Sequence, residues 1–472
     1  MATANRLSRD SLGIWGVVFY AVSVISPAFT FTVGSVASID YSGRVAPLVF
    51  LIAGVTIFSA IITLYIFSSH VSNSGGYFKF IEAATQNLYI SKMVGLWYLS
   101  ITIGVIIMGA GIVSWFANDA LNMLLGATVP GYCLILVSLI VPVLYLVVGY
   151  FRITSAAKIA ITVGLIQIVF FTSFAIAFIM RTPYNSSLYF NIGYSTGGIN
   201  GFFLAMVLGA FFSYGGYGSI VSLAEEIKLS KRTMKKAIVY SMVIMVIFET
   251  FAIYSIAAGM GPHISILTNY ASPSLYVSKL YFGIDGAGAV FAVGLLGIIF
   301  SLVLSGNSGA RYVFALARDG VLPSSLTKIH KKYNSPYIAV LWSFVIALIG
   351  TVLTEITLVT LFGESNGLFY SWAIWGTVLM VFSLLTSIAT NSSLAFFIHR
   401  IKKKVSVLTH IAAPSISSVI MVFAIYLSLA GLRSPMTWVY WIALSLMSAD
   451  LIIIYLRRNE MKVDKFDDLV LH

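Results

Sequence analysis

The chain has 472 residues, of which 59% are hydrophobic and only 9% charged, and its mean hydropathy is +0.97. Soluble domains carry about 25% charged residues, so the composition excludes a soluble protein and points to a polytopic membrane protein forming one helical bundle. The net charge of +12 needs no nucleic acid, since basic loops beside anionic lipid headgroups account for it, and a lone Cys133 excludes an internal disulfide.

The N-terminal segment, residues 1–11, is polar and carries Arg6 and Arg9. It lacks a short apolar core followed by a small-residue cleavage site, so no removable leader is expected. A bilayer crossing needs roughly 20 apolar residues. About twelve such spans follow, near 12–38, 45–68, 93–117, 130–149, 155–180, 201–224, 237–261, 286–317, 337–356, 366–397, 408–431 and 435–456. Twelve spans put both termini on one side. All but Arg44, Arg181, Lys279 and Arg433 of the 28 Lys and Arg fall on that side. Basic residues concentrate in cytoplasmic loops, so both termini are expected in the cytoplasm and the protein in the plasma membrane.

The first span is interrupted by Ser26-Pro27-Ala28-Phe29-Thr30. Proline lacks an N–H and clashes with the preceding turn, so the helix is expected to restart after it. The N–H groups of about Ala28 to Phe31 then form a helix N-terminus with partial positive charge, which suits a carboxylate. Ser26 and Thr30 add hydroxyls. The plainer alternative is a simple proline kink.

The sixth span is interrupted by Ser213-Tyr214-Gly215-Gly216-Tyr217-Gly218-Ser219. Glycines adopt conformations closed to other residues. Carbonyls freed from Ser213 to Tyr217 can accept from an ammonium group, and Tyr214 and Tyr217 can cover or stack on a solute. Glycine pairs otherwise serve helix packing in membranes. Broken backbone at membrane depth is tolerated only where it lines a protein-walled cavity. Two breaks alike in two halves are a sequence pointer to a transporter's binding site. A site offering N–H groups to a carboxylate and carbonyls to an amine suits an α-amino acid.

Further along, Glu249 lies near the middle of the seventh span and Asp450 in the twelfth. An intramembrane carboxyl is a functional candidate by default; Glu249 is either a proton carrier or a buried, hydrogen-bonded structural group, and Asp450 is read as structural. Glu225, Glu226 and the basic run to Lys236 form a solvated loop that helps lock an inner gate. The tail, residues 457–472, is mixed in charge and is expected to be poorly ordered. Metal-ligand clusters, phosphate loops and nucleophilic triads are absent from the sequence, so neither an enzyme nor a cofactor is expected.

The breaks suggest a first five-helix unit over 12–180 and an inverted second unit over 201–398, with two added helices over 408–456. Several stretches resemble the amino acid–polyamine–organocation superfamily of permeases. Tyr214-Gly215-Gly216-Tyr217 followed by Leu223-Ala224-Glu225-Glu226-Ile227-Lys228 is one, and Asn307-Ser308-Gly309-Ala310-Arg311 through Asp319-Gly320-Val321-Leu322-Pro323 is another. Ser74-Gly75-Gly76-Tyr77 is similar to the family's approach to its third helix. Two departures stand out: Ser26-Pro27-Ala28 replaces the common Gly-Ser-Gly of the first break, and Gly218 stands where an acidic residue often follows the second.

The resemblance implies an all-α fold of LeuT type, a 5+5 inverted repeat with discontinuous helices 1 and 6, and transport of amino acids or related amines. It also implies that the start of span five approaches the inner part of the first helix. Lys158 there resembles the lysine of proton-coupled members, unless it is a snorkelling cationic side chain. Ser301 and Ser305 on span eight would face the first helix, to ligate sodium, to bond Lys158, or to bond their own backbone. The expectation is a secondary active transporter of amino acids, coupled to protons rather than sodium, with exchange of one amino acid or amine for another as the alternative. A transporter-like nutrient receptor is the reading from another class.

Overall fold

The structure, a computed structural model, describes residues 13–71, 73–126, 129–151, 153–219, 221–222, 230–401, 404–430 and 432–470. The N-terminal segment 1–11 and Glu225, Glu226 and Lys228 of the expected gate loop lie outside the described residues. Those described are overwhelmingly helical, and their only extended pairing is an isolated bridge between Val71 and Val470.

Among the described residues, ten helical segments are long and apolar enough to cross a membrane. One of them, Ile14–Ser68, holds both of the first two expected spans. At the sixth expected span the apolar helix Gly198–Ser213 is too short to count among the ten. In chain order the helices that matter here begin with α1 (Ile14–Ile25), α2 (Pro27–Phe29), α3 (Ser35–Ser42), α4 (Ala46–Ser68) and α5 (Gly76–Thr85). They continue with α6 (Leu88–Leu125), α7 (Gly131–Ser138), α8 (Ile140–Tyr150), α9 (Ile153–Arg181), α10 (Gly198–Ala205), α11 (Phe211–Ser213) and α12 (Ser230–Met260). The chain ends with α13 (Pro273–Arg318), α14 (Tyr337–Phe362), α15 (Glu364–Arg400), α16 (Ala413–Leu429), α17 (Trp438–Arg457) and α18 (Phe466–Leu469).

Both interrupted spans also contain a π-helical turn, Thr30–Gly34 between α2 and α3 and Met206–Ala210 between α10 and α11. Such turns within α-helices are frequent at functional sites. The second turn packs against α3, because small residues let the backbones meet. A Cβ on Gly209 would lie 2.9 Å from the Ser38 nitrogen, and Ser38 Oγ donates to the Ala205 carbonyl at 3.1 Å. In hydrocarbon there is no hydrophobic drive between helices, so this close backbone packing and such cross-helix bonds hold them together. Around this pair, α1 packs against α9, α12 and α13, α4 runs along α12, and α6 runs along both α13 and α15. The 38-residue α6 is about 57 Å long at 1.5 Å per residue. It therefore exceeds a hydrocarbon core of about 30 Å and must tilt or protrude.

The tail does not behave as its composition suggests. Met461, Leu469 and Val470 are buried, and the Lys462 N–H donates to the Asp319 carbonyl at 2.9 Å. Asp464 reaches Lys79 Nζ at 2.6 Å, and its N–H donates to Glu82 Oε1 at 2.9 Å. Partial burial alone would raise the Asp464 carboxyl, but the Lys79 ammonium outweighs it and holds the group below the usual carboxylate range. The expected disorder is corrected: a tail that carries its own apolar anchors and a matched carboxylate has a docking site, which net composition cannot reveal. Lys79 and Lys92, which the charge pattern places in ordinary loops, are fully buried in the same cluster with Glu82 and Asp319.

Candidate functional site

The two breaks border one cavity of about 160 Å³. At the first, α1 stops because Ser26 takes a left-handed backbone (φ 68°, ψ 91°), which is unusual for a non-glycine residue. The helix restarts with Pro27 at its first position, where a missing N–H costs nothing. Ser26 Oγ then accepts from the Phe29 N–H at 3.1 Å, capping the restart. The Ala28 N–H donates to Gln167 Oε1 of α9 at 2.9 Å, and Ser26 Oγ donates to the same oxygen at 3.4 Å. The donors expected to stand free for a carboxylate are thus engaged inside the protein.

At the second break the balance is reversed. Gly216 carries φ +87°, and a Cβ there would lie 2.8 Å from Val24 Cγ1, so both conformation and space call for glycine. The carbonyls of Phe212, Gly216 and Gly218 accept backbone bonds, whereas those of Ser213, Tyr214 and Gly215 accept none among the described residues. Of these three residues Gly215 lines the cavity, and an open carbonyl beside a cavity is what an ammonium group needs.

Of the residues expected at the site, Ser26, Phe29, Gly215, Gly216, Tyr217, Gly218, Ser301 and Ser305 line the cavity. Pro27, Ala28, Thr30, Ser213 and Tyr214 do not. Tyr214 is fully buried and donates to the Phe50 carbonyl at 3.0 Å. Only Tyr217 is left to cover a solute, and its hydroxyl meets Ser387 Oγ at 3.1 Å. Ser213 Oγ returns to the Gly209 carbonyl, and Ser301 Oγ to the Ile298 carbonyl. Thr30 Oγ1 donates to Glu249 Oε1 at 3.0 Å. Glu249 is fully buried, and its Oε2 has no partner among the described residues.

Lys158 is not brought to the first helix. It is exposed, and the face of α9 turned toward α1 carries Ala157, Ala160, Gly164 and Gln167. There the Ala160 carbonyl accepts from Ser23 Oγ at 2.6 Å. Lys158 follows Ala157 by one residue, a rotation of about 100° that carries its side chain off that face.

Sequence reasoning missed part of the wall. Tyr98 and Thr102 of α6 and Ser383 and Ser387 of α15 line the cavity. Ser383 and Ser387 are four residues apart, so a polar stripe on one helical face was the available signal. Tyr77, within the quoted Ser74–Tyr77 motif, also lines it and packs against Tyr98 with the ring centroids 4.8 Å apart and the rings tilted by 40°. Much of the remaining wall is apolar, including Val24, Ile57, Val105, Met108, Leu302 and Leu379, and no Asp, Glu, Lys or Arg lines it among the described residues. A dry cavity of about 150 Å³ takes a solute of benzene size, so the space suits a compact apolar side chain.

Comparison with known proteins fits this geometry. A family model described as amino acid permease matches residues 16–470. The chain is similar to the branched-chain amino acid permease BcaP of Bacillus subtilis, 28% identical over 178 residues, or 36% of this chain and 35% of that protein. It is also similar to the methylthioribose transporter of the same organism, 26% identical over 128 residues and 27% of each chain. The human large neutral amino acids transporter small subunit 2 is 28% identical over 183 residues, or 38% of this chain and 32% of that one. The matched stretches cover about a third of the length of these curated relatives or less.

Proposed function

The chain belongs to the amino acid permease family, and on that premise we propose that it carries neutral amino acids with apolar side chains across the membrane by alternating access. The observation that carries this reading is a cavity with a largely apolar wall, free of charged side chains among the described residues and bordered by Gly215 of the second break, whose carbonyl has no backbone partner among them. That carbonyl suits an α-ammonium group and the wall suits an aliphatic side chain. Names of relatives that handle branched-chain and large neutral amino acids support the same class. The two inverted halves, 12–180 and 201–398, rock about this site in the reading adopted here.

A thermal-shift screen of the purified protein tests the substrate class. Leucine, isoleucine and valine should raise the melting temperature, by up to about 2.7 kcal/mol of stabilisation at a hundredfold excess over Kd. Lysine and glutamate should not. Stabilisation by charged amino acids alone, or by methylthioribose in place of any amino acid, would refute the assignment.

The coupling ion in this reading is a proton held by Glu249. A carboxyl at membrane depth is costly to charge, and Glu249 meets a single hydroxyl donor on the restarted first helix. Proton release and uptake there would be tied to movement of that helix. A second reading, exchange of amino acids without an ion, is favoured by the exposed position of Lys158. The distribution of basic residues supports a reading in which both termini lie on the cytoplasmic side of the plasma membrane. A C-terminal tag should then resist protease in intact cells and be cleaved in inside-out vesicles, and the reverse pattern would invert the orientation.

A further inference from the structure

Gln167 is 1% exposed on the face of α9 that meets the first break. Its Oε1 accepts from the Ala28 N–H and from Ser26 Oγ. Its Nε2 has no partner among the described residues. Gly297 of α13 closes the other side, where a Cβ would lie 2.9 Å from Gln167 Cδ. The carboxamide is therefore clamped between the restarted helix and α13, anchored at its oxygen and unsatisfied at its nitrogen. A buried amide nitrogen without an acceptor is costly, and such groups in native structures call for an explanation.

An amino acid brings the missing acceptor. At the first break the Ala28 and Phe29 N–H groups are already engaged, so the donor left there for a carboxylate is Gln167 Nε2. Ser26, which lines the cavity with Phe29, shares a hydrogen bond with Gln167. We propose that Gln167 is the positioning residue for the substrate's carboxylate: its oxygen holds Ser26 and Ala28 in register, and its amide nitrogen becomes the donor that the carboxylate takes up. This rests on the amino acid reading above and adds a residue outside both interrupted helices. Because the group is a neutral amide, carboxylate recognition at this joint requires no cation.

The test compares L-leucine with L-leucinol, which keeps the ammonium group and side chain but lacks the carboxylate. Kd for each is measured on the purified full-length protein, wild type and Gln167→Ala. Wild type should prefer leucine. In the variant the leucinol-to-leucine Kd ratio should fall by about tenfold or more, the range expected for one hydrogen bond to a charged group. A role confined to folding would weaken both ligands alike and leave the ratio unchanged, and that result overturns the proposal. If Gln167→Ala does not fold, Gln167→Met retains the volume and is read by the same ratio. Failure of wild type to bind either compound would instead refute the amino acid reading.

Discussion

Replacing Lys92 with alanine should destabilise the protein by about 3–5 kcal/mol, the cost of removing one partner from a buried ion pair. Lys92 is fully buried and bonds both Glu82 Oε2, at 2.5 Å, and Asp319. Lys79 bonds Glu82, Asp319 and Asp464 from the other side, at 2.8, 2.6 and 2.6 Å. Two ammonium groups thus face three carboxylates. Without Lys92, Glu82 and Asp319 would share the one remaining ammonium, that of Lys79, away from water. Their repulsion is strong there because little solvent screens it. The same loss should loosen the tail, since Asp464 docks on this cluster. Unfolding in mixed micelles measures the effect. The double variant Lys92→Met with Glu82→Gln should recover part of the stability, because removing both partners leaves no orphaned charge. Glu460, the exposed partner of Arg457, is the control, and Glu460→Gln should cost about 0–1 kcal/mol. A Lys92→Ala protein as stable as that control would show that the cluster is not an interdependent unit.

Glu249→Gln should abolish accumulation driven by a pH gradient while leaving counterflow of L-leucine intact. A carrier that moves one proton with each solute concentrates it about tenfold per unit of pH gradient, since one unit is worth about 1.4 kcal/mol. Glutamine retains the shape and can still accept from Thr30 Oγ1, so the contact between α12 and the restarted first helix survives. What it cannot do is gain and lose a proton. Counterflow in proteoliposomes without a gradient checks that the variant still binds and turns over. Gradient-driven accumulation that persists in the variant would rule out Glu249 as the proton carrier. A wild-type protein that shows counterflow but no response to the gradient would establish exchange.

How much of the site was legible follows from what kind of signal each residue leaves. Pro27 and the glycines of the second break interrupt an apolar run, and lipid tolerates such interruptions only around a cavity. Ser26, Phe29, Gly215, Gly216, Tyr217 and Gly218 therefore reached the wall as read. Lys158 is the contrary case. Its position near the start of α9 was visible, but a displacement of one residue around a helix separates an exposed side chain from one facing α1. Gln167 left no signal beyond one polar residue in an apolar span, because its importance lies in a contact 139 positions away in sequence. The tail misled for a similar reason: its charges look solvated until Lys79 and Glu82 are seen opposite them.

The sequence by itself determined the membrane class, the approximate spans and the two places where the backbone had to open. Those properties follow from hydropathy and from proline and glycine chemistry, which are local. Only the tertiary structure decided which donors and acceptors remain open. At the first break the N–H groups are taken by Ser26 and Gln167, while carbonyls of the second stay unpaired among the described residues. Hydrogen-bond satisfaction is a relation between groups brought together from distant segments, so it exists only once the helices have packed.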